Sequence, residues 1–143
     1  GAAVTTAMAQ RLVRRLCSKC RESRVMTTEE IKLMAPLLSN IPHPEDLPAN
    51  KEVMWVPKGC PACGGIGYKG RIAVVEVILM DKEIEETVRK TSSERDLWHA
   101  ARHQKIRRMA QDGAVKVLQG VTSLEELGRV VDLRDEVMLE TIS

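Results

Sequence analysis

Phenylalanine is absent from this 143-residue chain, and only two Trp and one Tyr stand in its place. A core must therefore be assembled from Leu, Val, Ile, Ala and Met, without much of the large area that aromatic rings bury. Few rings also means few stacking platforms for single-stranded nucleic acid. No apolar run approaches the roughly 20 residues that a membrane-spanning helix needs, and no secretory leader pattern is visible. Neither sign of charge dominates. Twenty-two Lys and Arg oppose 20 Asp and Glu, for a formal charge of +2, which does not suggest a dedicated polyanion binder. The catalytic inventory is also short. A Gly-x-x-x-x-Gly-Lys-Ser/Thr phosphate loop occurs nowhere. Gly64-Gly65-Ile66-Gly67 lacks the strand-then-helix setting of a dinucleotide fingerprint, and no Ser–His or free Cys–His pairing stands out. The chain by itself shows no active site.

What it has is four cysteines in two pairs, Cys17-Ser-Lys-Cys20 and Cys60-Pro-Ala-Cys63. A Cys-x-x-Cys knuckle wraps two thiolates around one side of a tetrahedral ion, at roughly 2.3 Å per Zn–S bond. Two knuckles complete an all-thiolate shell. Such a shell leaves no open position for water, so Zn2+ bound there is structural and not catalytic. Three other chemistries use the same residues. Two disulfides would suit a small secreted scaffold, but the chain is charge-rich and poor in the loop signals of such scaffolds. A thioredoxin-like redox motif would leave one pair unexplained. A rubredoxin-like iron site suits Cys63-Gly64, but Cys20 is followed by Arg21. Zinc-bound thiolates point to a reducing, cytoplasmic compartment.

A shared ion also constrains the chain path. Ligand sulfurs on one tetrahedral ion lie roughly 4 Å apart, so the segments before Cys17 and after Cys63 start from neighbouring points. Residues 72–79, Ile-Ala-Val-Val-Glu-Val-Ile-Leu, are strongly strand-like. Residues 10–16 are ambiguous between strand and helix by periodicity. The staple argues for an antiparallel pair, with 17–70 inserted between its strands. Within that insertion, Thr27-Thr28-Glu29-Glu30 is a capping box opening a helix over 27–38, with Pro36 keeping it short or kinked. Residues 52–56 read as a short strand. Gly64, Gly65, Gly67 and Gly70 allow tight turns beside the metal.

The chain turns helical after residue 81. Ile84 and Val88 mark one short amphipathic helix. Thr91-Ser92-Ser93-Glu94 predicts a second capping box ahead of Leu97, Trp98 and Ala101. Met109, Leu118 and their neighbours mark a third helix, with Gly120 as its stop. Thr122-Ser123-Leu124-Glu125 predicts a third box ahead of Leu127, Val130 and Val131. Residues 133–141 continue the helix or fray. His99 and His103 have metal-ligand spacing, but no carboxylate motif accompanies them and they read as solvated surface.

Several separate motifs resemble one family in the same order. They are Ala9-Gln10-Arg11-Leu12-Val13-Arg14-Arg15-Leu16-Cys17-x-x-Cys20, Gly59-Cys60-Pro61-x-Cys63, Gly67-Tyr68-Lys69-Gly70-Arg71 and Glu76-Val77-Ile78. Met109-Ala110-Gln111-Asp112-Gly113 and Gln119-Gly120-Val121-Thr122-Ser123-Leu124-Glu125-Glu126-Leu127 follow. Over roughly residues 8–132, the chain resembles the type II secretion and type IV pilus assembly ATPases, with looser likeness over 21–58. The resemblance implies an α/β or α+β piece from the C-terminal part of a larger hexameric motor. Residues 1–16 and 71–81 would be a strand pair at the edge of a RecA-like sheet. Residues 17–70 would be its tetracysteine zinc insertion, and 82–143 a helical subdomain. The phosphate loop and the acidic and His boxes would lie upstream. ATP and Mg2+ would bind only in that parent, at the cytoplasmic face of the bacterial inner membrane. Partners would be neighbouring subunits of the homohexamer and an inner-membrane platform protein. In the family, the Arg after Gly-Tyr-x-Gly lies near a subunit boundary and the nucleotide. Arg71 matches it; its other reading is a strand-start arginine on a solvated face.

Two rival functions use the same residues. Arg11, Arg14, Arg15, Lys19, Arg21 and Arg24 form one basic run, and Arg102, Lys105, Arg107 and Arg108 another. A zinc-containing nucleic-acid binder would need such cations, whereas the ordinary reading is a solvated face and no nucleic acid is expected. A chaperone cysteine-rich module would fit Cys60-x-x-Cys63-x-Gly65-x-Gly67, but the first knuckle lacks the glycines.

Overall fold

Two long strands carry the frame. In the computed structural model, which describes residues 6–134, β1 (Thr6–Leu16) and β4 (Tyr68–Leu79) pair antiparallel. Thr6 faces Leu79 and Arg14 faces Arg71, with a register shift between Arg14 and Leu16. The ambiguous segment 10–16 is thus a strand, and the pairing that the cysteine staple requires is present. Residues directly opposite in such a ladder share a face. One face buries Val13, Val74 and Ile78. The other presents Met8, Leu12 and Leu79, which are 65%, 55% and 48% exposed. The outer edge of β4 is covered by side chains, with Val75 N donating to Asp112 Oδ2 at 2.9 Å and Leu79 N to Gln104 Oε1 at 2.9 Å. Such cover satisfies backbone groups that a bare edge would leave open.

The insertion is built rather than coiled. β2 (Glu22–Val25) and β3 (Val53–Val56) form a second two-stranded antiparallel sheet, with α1 (Thr28–Leu38) between them. The Thr27 capping box is as expected: Glu30 N donates to Thr27 Oγ1 at 3.2 Å, and Thr27 N to Glu30 Oε1 at 2.8 Å. Pro36 lies inside α1, which ends within three residues of it at Ser39.

Four helices follow: α2 (Lys82–Lys90), α3 (Glu94–Ala101), α4 (Met109–Leu118) and α5 (Leu124–Val130). Two of the expected capping boxes are displaced. The N-cap of α3 is Ser93, which accepts from Asp96 N, while Thr91 closes α2 and its hydroxyl accepts from Ser93 N. The N-cap of α5 is Ser123, not Thr122. Thr122 is already committed, its hydroxyl donating to Arg14 O at 2.7 Å. Of the α2 stripe, Ile84 is fully buried and Val88 is 52% exposed. The stop after α4 is as expected. Gly120 has φ +77°, Gly120 N donates to Val117 O and Val121 N to Lys116 O, the two bonds of a Schellman ending. The expected tail over 133–141 lies largely outside the described residues.

One apolar core joins the ribbon, the insertion, α4 and α5. Val13 and Val74 of the ribbon, Met26, Met34, Leu37 and Met54 of the insertion, and Ala110, Ala114, Val117 and Leu127 of the helices pack in one cluster. Methionine fills the irregular gaps that a chain without Phe leaves. A small satellite of Ile78, Ile84 and Ala101, with Leu97 and Trp98 against it, holds α2 and α3.

Candidate metal centre

β1 ends at Leu16, so Cys17 emerges beside the start of β4, and Cys17 N donates to Gly67 O at 2.9 Å. The short helical turn Pro61–Cys63 bends the second knuckle toward it. All four sulfurs lie within 4.8 Å of one another, the one cluster with metal-ligand character among the described residues. Cys17–Cys60 is 3.8 Å, Cys60–Cys63 3.8 Å and Cys20–Cys63 3.9 Å. Those separations match the edges of a tetrahedron with bonds of roughly 2.3 Å. All four cysteines are free, whereas disulfide partners would sit about 2.05 Å apart.

The backbone around the cluster favours thiolates. Gly59 N donates to Cys20 Sγ at 3.3 Å, Cys60 N to Cys63 Sγ at 3.3 Å and Gly67 N to Cys63 Sγ at 3.2 Å. The approach is close enough to exclude side chains. A Cβ on Gly59, which has φ +107°, would stand 2.6 Å from the Gly65 carbonyl oxygen. Burial raises the Cys63 pKa, but the N–H groups of Cys60 and Gly67 outweigh it and hold the thiol at about 6. The Lys19 N–H draws Cys17 down, whereas burial pushes Cys20 up to about 11. A cation must therefore displace protons held unequally, and binding will depend on pH. Four soft sulfur donors with hydrogen-bonded backbone support fit a tetrahedral ion and offer it no open position.

Two junctions that sequence reasoning missed tie this cluster to the helices. Arg21, next to Cys20, stacks over Trp55 at 4.3 Å from the ring centroid and donates to the Gln119 and Gly120 carbonyls. It places a cation at the carbonyl end of α4, where the helix dipole favours one. The second junction is Glu126, 5% exposed. It accepts from Arg14 N at 2.9 Å, Nε at 2.9 Å and Nη2 at 2.6 Å. Arg14 also stacks on Tyr68, whose hydroxyl bonds Ser123 Oγ at 2.7 Å. Burial pushes the Glu126 pKa up, and the Arg14 hydrogen bonds bring it below its usual value. The only signals for the second were the chain's lone Tyr and a Glu beside a capping sequence.

Much of the expected basic runs is consumed inside the molecule. Arg24 pairs with Glu30 at 2.6 Å, and Arg107 reaches Pro42 O, His43 O and Asp46. Arg71 is exposed and stands opposite Arg14 in the ribbon. His99 and His103 do not form a metal pair. α3 ends at Ala101, and His103 turns to the Asp81 carboxylate and the Ala100 carbonyl.

The family model for type II/IV secretion system proteins matches residues 1–129. Type II secretion system protein E of Aeromonas hydrophila is 38% identical over 125 residues, covering 86% of this chain and 22% of that protein. Type IV pilus assembly ATPase PilB of Thermus thermophilus is 32% identical over 132 residues, covering 92% of this chain and 14% of that protein. Type II secretion system protein HxcR of Pseudomonas aeruginosa is 35% identical over 123 residues, covering 86% and 20%. The chain thus spans about a fifth or less of the length of these relatives.

Proposed function

Because the chain belongs to the type II/IV secretion system protein family, we propose that it works as the zinc-stapled C-terminal region of a hexameric secretion or pilus-assembly motor ATPase. ATP and Mg2+ are bound and turned over by another part of the same polypeptide. The observation that carries this reading is the family match over residues 1–129, joined to a four-cysteine cluster of tetrahedral spacing. The uncovered ribbon face with Met8, Leu12 and Leu79 adds support. A two-stranded ribbon seldom stands alone, and an apolar face of this kind suits the edge of a larger sheet.

In this reading, residues 1–16 with 71–81 extend a RecA-like sheet, 17–70 form the zinc insertion and 82–143 the helical subdomain. Cys17, Cys20, Cys60 and Cys63 hold one Zn2+, which is structural. It fixes the spacing of β1, β4 and the second sheet, and through Arg21 it positions the end of α4. Partners are the neighbouring subunits of a homohexamer and an inner-membrane platform protein. The assembly then sits peripherally on the cytoplasmic face of the inner membrane. No helix among the described residues is long and apolar enough to cross a membrane. Arg71, at the exposed end of the ribbon, contacts the adjoining subunit or its nucleotide, a task for which an always-charged guanidinium is suited.

The test uses the full-length parent protein. Arg71→Ala and Cys60→Ser are compared with wild type by sedimentation and steady-state ATP turnover. Arg71→Ala should retain zinc and lower turnover or assembly; an arginine at a transferring phosphate is worth on the order of 10³–10⁵ in rate. Cys60→Ser should lose zinc and hexamer together. Wild-type assembly and turnover in both variants would overturn the proposal.

A further inference from the structure

We propose that the cleft between α1, the 39–45 loop and the α3 segment docks an acidic polypeptide segment of a partner protein, one that carries an apolar anchor. The cleft encloses about 1320 Å³, more than the roughly 300–1,000 Å³ of a typical small-molecule site.

Five cations line this cleft: Lys32 from α1, Arg95 from α3, Arg102 and Lys105 from the turn that follows, and Arg108 at the start of α4. The side chains of Lys32, Arg95, Arg102 and Lys105 make no ion pair or hydrogen bond among the described residues, in contrast to Arg14, Arg24, Arg107 and Arg108. One carboxylate is present, Glu45, and it lies 3.4 Å from His43 Nδ1. The excess positive charge is therefore unmatched from within. Beneath it, Ile41, Pro42, Trp98 and Ile106 supply an apolar lining. Ile41 is buried, and the other three are half-buried. Cations over an apolar floor suit a peptide whose carboxylates meet the rim and whose hydrophobic side chain enters the trough.

The backbone adds an independent sign. Among the described residues, the non-glycine positions with positive φ are Asn40 (+57°), His43 (+56°) and Lys105 (+54°). All three line this one cleft. Such conformations are uncommon for residues with a side chain, and they concentrate where a surface is shaped for a ligand. Their gathering on both walls points to a groove whose form is held at some cost.

The experiment is fluorescence anisotropy of this chain with a short fluorescein-labelled peptide of glutamates flanking a central leucine pair. Saturable binding that weakens with salt is expected. The Arg95→Glu/Arg102→Glu double variant should bind at least roughly tenfold more weakly. The charge-matched Arg11→Glu/Lys69→Glu variant, altered on the ribbon, should bind like wild type. Circular dichroism confirms that both variants are folded. Absence of binding, or an equal loss in the ribbon variant, overturns the proposal. So does an unchanged affinity when the leucines are replaced by serine, or displacement by tripolyphosphate at equal charge, since either would make the cleft a site for any small anion.

Discussion

Gly113 lies where α4 meets α5, and replacing it by alanine pits two effects of known sign against each other. In an open helix the exchange stabilises by about 1 kcal/mol, because glycine loses more backbone freedom on folding. Here an added Cβ would stand 2.2 Å from Leu127 Cδ1 and 2.8 Å from Cδ2, where carbons in contact prefer roughly 3.5–4.0 Å. Leu127 is fully buried, so its methyl groups cannot swing into water. Overpacking of this kind costs about 1–3 kcal/mol. The clash is the larger effect, and Gly113→Ala should destabilise by about 1–2 kcal/mol. Leu127→Ala alone should cost about 2–5 kcal/mol. In the double variant the clash is gone and the helix gain returns, so it should be more stable than Leu127→Ala. The favourable coupling should be at least about 1 kcal/mol. Urea unfolding followed by Trp fluorescence, with zinc held constant, measures all three. A Gly113→Ala protein about 1 kcal/mol more stable than wild type, with no coupling to Leu127, would refute the packing argument.

Glu126→Gln keeps an acceptor for Arg14 N but loses the charged grip on the guanidinium. With the Arg14 side chain 41% exposed, the cost should be about 1–2 kcal/mol in urea unfolding. His103 bonds Asp81, which raises its pKa above the usual 6.5; burial opposes this, while the Ala100 carbonyl and Glu83 add to it. Its folded value exceeds its unfolded one, so its contribution to α2 docking is full below about pH 6.5 and is lost as pH rises through the raised value. Amide spectra of α2 should show that pH dependence in wild type and not in His103→Asn. Cys60→Ser should raise amide exchange over residues 17–70 and at the end of α4, which Arg21 holds, while α2 and α3 keep their protection in their own small cluster. A uniform rise along the whole chain would contradict that division.

The parts that were legible in the sequence are those with short-range patterns. Two Cys-x-x-Cys knuckles and one β-branched run were enough to place β1 against β4, because a shared ion turns sequence spacing into a distance. The Thr27 box was readable because the Thr27 hydroxyl serves α1, and Arg24, which also grips Glu30, leaves the Glu30 bond to Thr27 N in place. The Thr122 box was not, because Thr122 is claimed by Arg14 O across the fold and the cap passes to Ser123. The Thr91 box shifted for a local reason: α2 runs on to Lys90, leaving Thr91 to end one helix rather than begin another. Long-range polar pairs carry no period at all. Arg14 and Glu126 are 112 residues apart, and nothing near either one indicates the other. The Arg21–Trp55–Gly120 clip was hidden in the same way, although Arg21 was visible as one more charge in a basic run. His103 was read as solvated surface because its partner, Asp81, sits before α2 rather than on its own helix.

One structural zinc shared by Cys17, Cys20, Cys60 and Cys63 is the proposal on which the rest of this reading depends. Metal analysis of the purified chain, paired with thiol titration before and after addition of a chelator, tests it directly. The expected result is one zinc per chain, with thiols unreactive until the chelator releases all four together. A zinc-free protein whose mass shows two disulfides, or a chain that carries iron instead, would contradict it.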